Sequence, residues 1–318
     1  MQNMKRVIKF VLAIGALTLI SVTSLSAQQL EGQISVSGAF ALYPLVVKWG
    51  AEFQKLNPKV KINISAGGAG KGITDALGGM VEIGMVSREI NAQETKKGAY
   101  AIAVAKDAVV PTVSASNPNI TEILARGLTR DIAYNIYVTG HVRTWNRAFG
   151  IKGVQKDIHV YNRSDACGAG EVWAKYFVKK QEDLLGVGVF GDPGIATAVQ
   201  RDPLGIGYNN IAFAYDIKTK KPNAGIKVVP LDLNHNNKID PEENFYNNLD
   251  DLLAAIASGK YPSPPARDLY FVTKGKPTNL IVTAFTKWIL TNGQKYVDES
   301  GYVTLPKEKL SSELKKVE

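Results

Sequence analysis

Several absences narrow what this chain can be. It has one cysteine, Cys167, in 318 residues, so no disulfide can form within it and the fold must be held by burial alone. A chain of this length with 45% hydrophobic residues can manage that. Cys167 also lies deep in the sequence, whereas a bacterial lipoprotein needs its cysteine just after the leader. Histidine is nearly as scarce. His141, His159 and His235 offer no acid and base pair, no Ser-His-Asp order and no zinc spacing, which counts against an enzyme. Nothing in sequence pairs Cys167 with His159 as nucleophile and base, and the thiol reads as a small packing residue. Beyond Val22 no apolar run approaches the ~20 residues that a spanning helix requires. The cations are scattered except at 218–221 and near the C-terminus, without interleaved aromatics, which excludes a nucleic-acid partner. There is no internal repeat and no low-complexity segment.

At the start of the chain, Lys5, Arg6 and Lys9 precede an apolar run from Phe10 to Val22, and small residues follow at Ser24, Ser26 and Ala27. This is the layout of a secretory signal peptide over 1–27, cleaved near Ser26 or Ala27. It predicts a product free in the periplasm or outside the cell. The formal charge of +9 includes three leader cations and falls to +6 without them. That excess suits an anion ligand, and an ordinary basic surface equally.

The mature part alternates β-like runs with amphipathic helices, the order of an α/β fold with mostly parallel sheets covered on both faces. Strands are expected at 34–37, 60–65, 82–87, 100–105 and 109–113. Apolar residues at Leu42, Leu45, Val46, Trp49, Phe53 and Leu56 share one helical face that ends near Asn57-Pro58. A polar stretch at 114–119 predicts a crossing into a second lobe, with a strand at 158–161, a helix at 170–179 and a strand at 205–208. The return is expected between 216 and 230, followed by helices at 245–258 and 280–289 around a strand at 269–272. The domains are therefore 28–112 and 223–318 for the first lobe and 113–222 for the second, hinged near 107–112 and 216–230.

Three loops fall where strands end and helices begin: 37–40, 67–72 and 163–170. In an open α/β sheet the ligand sits beyond the carboxyl ends of the strands, where helix N-termini present free N–H groups. Glycine allows close backbone approach to an anion, and Arg163 and Arg88 can supply forked bonds. Arg88 can alternatively cap its strand outside the cleft. Lys71 at a helix start opposes the local dipole unless an anion is near, the alternative being a solvated lysine.

These loops, together with Glu82-Ile83-Gly84-Met85-Val86-Ser87-Arg88, Ala105-Lys106-Asp107, Gly205-Ile206-Gly207-Tyr208, Tyr261-Pro262 and Gly301-Tyr302-Val303, resemble in order the motifs of the phosphate-binding protein family of ABC transporters. The resemblance covers nearly all of the mature chain. It implies a two-lobed periplasmic-binding-protein architecture closing over a dehydrated oxyanion, with contacts from Ala39, Phe40, Ala69, Gly70, Lys71, Arg88, Arg163, Asp165, Cys167, Gly168 and Ala169. Asp165 matches the acid that orients the family's arginine at the Arg163 position; a turn-forming Asp is the alternative. Where relatives carry hydroxyls, this chain has Ala39, Phe40, Ala69, Lys71, Cys167 and Ala169. Each missing bond to a charged group removes on the order of 1.5 to 3 kcal/mol.

A separate motif lies at 232–243. Asp232, Asn234, Asn236, Asp240 and Glu243 occupy positions one, three, five, nine and twelve of an EF-hand-type loop, with the Lys238 carbonyl at seven and Ile239 at eight. Asn237 stands where glycine usually makes the sharp turn. One structural calcium is expected there, an acidic surface turn being the alternative; no organic cofactor is expected. Together these features predict a monomeric, non-enzymatic solute-binding protein that delivers phosphate or a related oxyanion to an ABC permease. The alternatives are a different anion, such as phosphonate, sulfate or an organic phosphate, or an envelope adhesion or assembly protein without anion binding.

Overall fold

A computed structural model describes residues 29–318, of which 31–318 form one compact unit. The leader expected over 1–27 lies outside the described residues. No helix among them is long and apolar enough to cross a membrane.

The first wing follows the apolar pattern. Strand β1 (Gly32–Gly38) pairs in parallel with β2 (Val60–Ala66) and β3 (Ile83–Val86). Gly38 lies opposite both Ala66 and Met85, so the three strands finish at one level and their following loops emerge side by side. The Tyr43–Leu56 helix carries Pro44 in its first turn, where a missing N–H costs nothing. It buries Leu45, Val46, Trp49 and Phe53, each contributing roughly 1.5–3 kcal/mol. Leu56 is exposed instead, beyond the reach of that face.

The two strands expected at 100–105 and 109–113 are one. Strand β4 (Ala99–Ser114) pairs over its first part, Ala99–Ala108, with β11 (Ala266–Lys274), and over Val109–Val113 with β8 (Gly205–Asn210). The crossing between lobes is therefore this strand itself rather than the polar stretch after it. The nine-stranded sheet runs β2-β1-β3-β11-β4-β8-β6-β7, with β6 (His159–Arg163) and β7 (Val187–Val189) on the far wing and β9 (Ile226–Val228) beside β4. Pairing is parallel in both wings and antiparallel in the middle. The reason is connectivity: β11 brings the chain back along the strand that carried it out.

The return comes later than the sequence pattern predicts. Strand β9 pairs with the distal end of β4, and β10 (Leu231–Asp232) pairs with β5 (Leu128–Thr129). The Leu249–Ala257 helix packs Leu252 and Ile256 into the same core as Trp145, Trp173 and Tyr208. The apolar faces of 226–257 thus find their partners in the second lobe, and with them the calcium-type loop, which was expected in the first. The chain rejoins the first lobe at β11.

Where β4 and β11 meet, Asp107 is fully buried beside Arg267. Arg267 donates from Nη1 to Gly168 O at 2.7 Å and from Nη2 to Asp107 Oδ2 at 3.2 Å, and also bonds the Asn210 side chain. One guanidinium thereby ties the first lobe to two elements of the second. Burial pushes the Asp107 carboxyl up to about 6 despite the opposing pull of Arg267. Removing the cation leaves that carboxylate buried alone, so Arg267→Ala should lose about 3–5 kcal/mol in urea unfolding at neutral pH. The deficit should shrink near pH 5, because the folded state takes up a proton on Asp107 before the unfolded chain does. An equal deficit at both pH values would separate Arg267 from Asp107.

Candidate functional site

The loops after β1, β2 and β6 converge between the lobes. The first turn of the Ala69–Gly78 helix meets the loop that leads into the Gly168–Tyr176 helix, and Gly70 N–H donates directly across the interface to Ala166 O at 3.1 Å. The approach is close enough to exclude side chains. A Cβ on Gly168 would lie 2.3 Å from Ser87 O, and one on Gly70 would lie 2.8 Å from Ala166 Cβ. Glycine at these positions is therefore a condition of closure. The N–H groups of Ala69, Gly168 and Ala169 belong to first helical turns, which leave donors without intrahelical partners.

Arg163, the last residue of β6, lies at this interface with its side chain 1% exposed. Its Nε and Nη2 grip Asp165 Oδ1 and Oδ2 at 2.8 and 2.5 Å, a fork-to-fork pair, while Nη1 donates to Asp192 Oδ2 at 2.5 Å. Burial opposes ionisation of Arg163 and of Asp165. The pairing nonetheless raises the arginine above its ordinary value, with Asp192 the largest favourable neighbour, and Arg163 holds Asp165 below its own. Phe40 lies over the guanidinium at 5.5 Å. The space among these groups is too narrow to hold a water molecule.

Of the residues expected here, Ala39, Phe40, Ala69, Arg163, Cys167, Gly168 and Ala169 line that space. Asp165 and Gly70 brace it from behind. Lys71 and Arg88 do not line it. Lys71 turns outward and pairs with Asp75, one helical turn on, which neutralises it locally. Arg88 forms a bidentate pair with Glu94 at 2.9 and 2.7 Å and lines a separate cavity of about 390 Å³ with Lys106, Glu171 and Tyr270. Sequence reasoning missed Ser87, Asp192 and Asn210, which the structure adds to the lining. Asp192 had a local signal: Gly191-Asp192-Pro193 after the β-like 187–189 reads as a strand end followed by a helix start with proline in the first turn.

The 232–243 loop closes on its own side chains. Asn237 and His235 both adopt φ +62°. Asp232 and Glu243 are buried, and each turns both oxygens to backbone N–H groups of the loop. Asn234 and Asn236 donate their amides to Asp240 at 2.9 and 2.7 Å, and Lys238 Nζ donates to the same carboxylate at 2.9 Å. These partners, Lys238 foremost, lower the Asp240 carboxyl to about 2. A half-turn of either amide presents oxygen instead of nitrogen, so the donor types suit a hard cation. Among the described residues no three His, Cys, Asp or Glu side chains are gathered at one point.

A family model described as a PBP superfamily domain matches residues 24–292. The chain belongs to that superfamily. Among curated proteins, the phosphate-binding protein PstS of Xylella fastidiosa is 27% identical over 90% of this chain and 85% of its own length. The PstS of Pseudomonas aeruginosa is 29% identical over 88% and 85%, and that of Bacillus subtilis 26% over 89% and 84%. A phosphate ABC transporter substrate-binding protein from Clostridium perfringens, solved with bound phosphate, superposes with a TM-score of 0.69 at 22% identity, covering 86% of this chain and all of that one. An ABC-type phosphate transport receptor from Vibrio cholerae gives 0.62 at 19% identity over 86% and 100%. At these identities the structural likeness establishes the fold: the two-lobed architecture of the PBP superfamily.

Within this superfamily site the single thiol has an environment of its own. Cys167 is 4% exposed and caps the following helix through Sγ, which accepts from Gly170 N–H at 3.2 Å. Burial pushes it up to about 12, so it stays a neutral thiol at physiological pH. The folded protein should therefore be inert to a thiol-specific disulfide reagent at pH 8 and react fully once denatured. Rapid reaction of the folded protein would mean that the interface opens freely.

Proposed function

We propose that this protein is an extracytoplasmic solute-binding component that captures phosphate, or a closely related oxyanion, between its lobes and passes it unchanged to an ABC-type permease. The observation that carries this is the buried Arg163 lining one space with the first turns of two helices, in a chain related over most of its length to proteins named for phosphate binding. A guanidinium and free backbone N–H groups are the donors that a dehydrated tetrahedral anion requires. With alanine at 39, 69 and 169, that work falls to the backbone and to Ser87. Non-enzymatic capture is supported by the neutral Cys167 thiol. The expected leader and the names of the relatives support a location outside the cytoplasm.

Calorimetric titration of the mature protein with phosphate, arsenate, sulfate and a phosphonate tests this. One of the four should bind, and Arg163→Lys should weaken it at least tenfold because an ammonium cannot replace a planar fork. Lys71→Ala, outside the site, should leave affinity within about twofold, in line with the small effects of exposed pairs. Equal affinity of Arg163→Lys and the parent would remove Arg163 from the site.

We also propose that the 232–243 loop holds one structural calcium through Asp232, Asn234, Asn236, the Lys238 carbonyl, Asp240 and Glu243. The five-position oxygen pattern and the left-handed turn at Asn237 support it. Affinity in the range of about 10⁻⁴ to 10⁻³ M would suffice outside the cytoplasm. Chelator should lower the melting temperature of the parent and have no effect on the Asp232→Ala, Glu243→Ala double variant. Insensitivity of the parent to chelator would leave the loop an acidic turn.

A further inference from the structure

The two charged side chains lining the interlobe space are Arg163 and Asp192, and they are bonded to each other. Asp165 accounts for one edge of the guanidinium, taking Nε and Nη2 while also accepting Gly191 N–H at 3.1 Å. It orients the arginine from behind. Asp192 does something different. Its carboxylate takes Nη1 with one oxygen and the backbone N–H of Asn210, at 3.0 Å, with the other. A charged fork end and a backbone amide are the partners that an incoming oxyanion would use, and here a carboxylate of the protein already holds them.

We propose that Asp192 is an internal competitor for the anion: its carboxylate occupies the Arg163 and Asn210 donors in the closed protein, and ligand binds by displacing it. This deepens, and rests on, the oxyanion-capture function proposed above. Charge supports it. Arg163, Asp165 and Asp192 together carry a net charge of one minus, all three side chains 9% exposed or less. An oxyanion added to an intact triad meets repulsion at low dielectric, whereas an oxyanion that replaces Asp192 at Arg163 does not. Space supports it too, since nothing as large as a water molecule fits while Asp192 is in place.

Displacement also has a place to go. Asp192 stands in the first turn of the Gly191–Arg201 helix, where the dipole still favours its charge after it leaves Arg163. It follows Gly191, held at φ +73°, and Phe190, which is 61% exposed and meets the Phe40 ring edge-on at 5.8 Å. Phe40 in turn covers Arg163. The segment that bears the competitor is thus coupled to the ring over the arginine. In effect Asp192 sets the affinity of the site, lowering it and easing release, while Arg163 and the helix ends supply the attraction.

Titration calorimetry with inorganic phosphate on the mature parent, Asp192→Asn and Asp192→Glu decides the matter. Asp192→Asn keeps the shape, removes the charge, and should bind at least tenfold more tightly than the parent, a gain of about 1.4 kcal/mol. Asp192→Glu keeps the charge and should not tighten binding. Asp192→Asn that binds no more tightly than a phosphate-binding parent overturns the competitor and leaves oxyanion capture standing. Failure of both parent and Asp192→Asn to bind phosphate, arsenate, sulfate or a phosphonate overturns capture and competitor together. Should Asp192→Asn not fold, a crystal structure of the parent grown with saturating phosphate gives the answer. Asp192 is expected off Arg163 there; phosphate bound with the Asp192–Arg163 pair intact overturns the proposal.

Discussion

The molecule is organised around one buried guanidinium. Taking Arg163 out of water costs several kcal/mol unless its charge is met by well-placed acceptors, and the protein meets it with two carboxylates from different segments. Asp165, two residues on, fixes the plane of the arginine and pins the N–H of Gly191. Asp192 pins the N–H of Asn210 at the end of β8. The loop after β6, the start of the Gly191–Arg201 helix and the end of β8 are thereby locked to one another through a single cation. The glycine surfaces of the first lobe then close against that assembly.

The same constraint bears on binding. A site that has satisfied its own charge is stable but unreceptive, and a receptive one must leave donors unpaired at some cost in stability. This chain stands nearer the first extreme. Hydroxyls are absent at 39, 69, 167 and 169, so the donors lining this space are backbone N–H groups, the Ser87 hydroxyl and the arginine. Backbone donors at helix ends need no rotamer ordering, which partly offsets their small number.

Mechanically, the lobes are joined through the middle of the sheet rather than by loose linkers. β4 passes from one wing to the other without a break and β11 returns beside it, with Arg267 bridging to Gly168 and Asn210. Asn210 is the link between the two arginines: its side chain meets Arg267 and its N–H meets Asp192. A change at the Arg163–Asp192 pair is therefore one residue away from the contact that holds the lobes together.

Much of this was legible in the residues themselves. Apolar spacing marked β1, the Tyr43–Leu56 helix, β2, β3 and the Leu280–Leu290 helix, because each segment's buried residues recur at the period of its own element. The glycine-rich loops and Arg163 were identifiable because strand ends and helix starts have local chemistry. What the sequence could not supply were pairings set by distant segments. That β4 is one strand depends on β8 and β11 lying along its two parts; that 226–257 stays with the second lobe depends on Trp145, Trp173 and Tyr208 filling the core it packs on. The sequence also could not place the charges. Arg88 and Lys71 are as cationic as Arg163, and only folding decides that the first two pair with Glu94 and Asp75 away from the interlobe space, while Arg163, held by Asp165 and by Asp192 twenty-nine residues on, lines it. Residue type and spacing determined the fold class, and the three-dimensional meeting of distant segments decided which cation lines the space between the lobes.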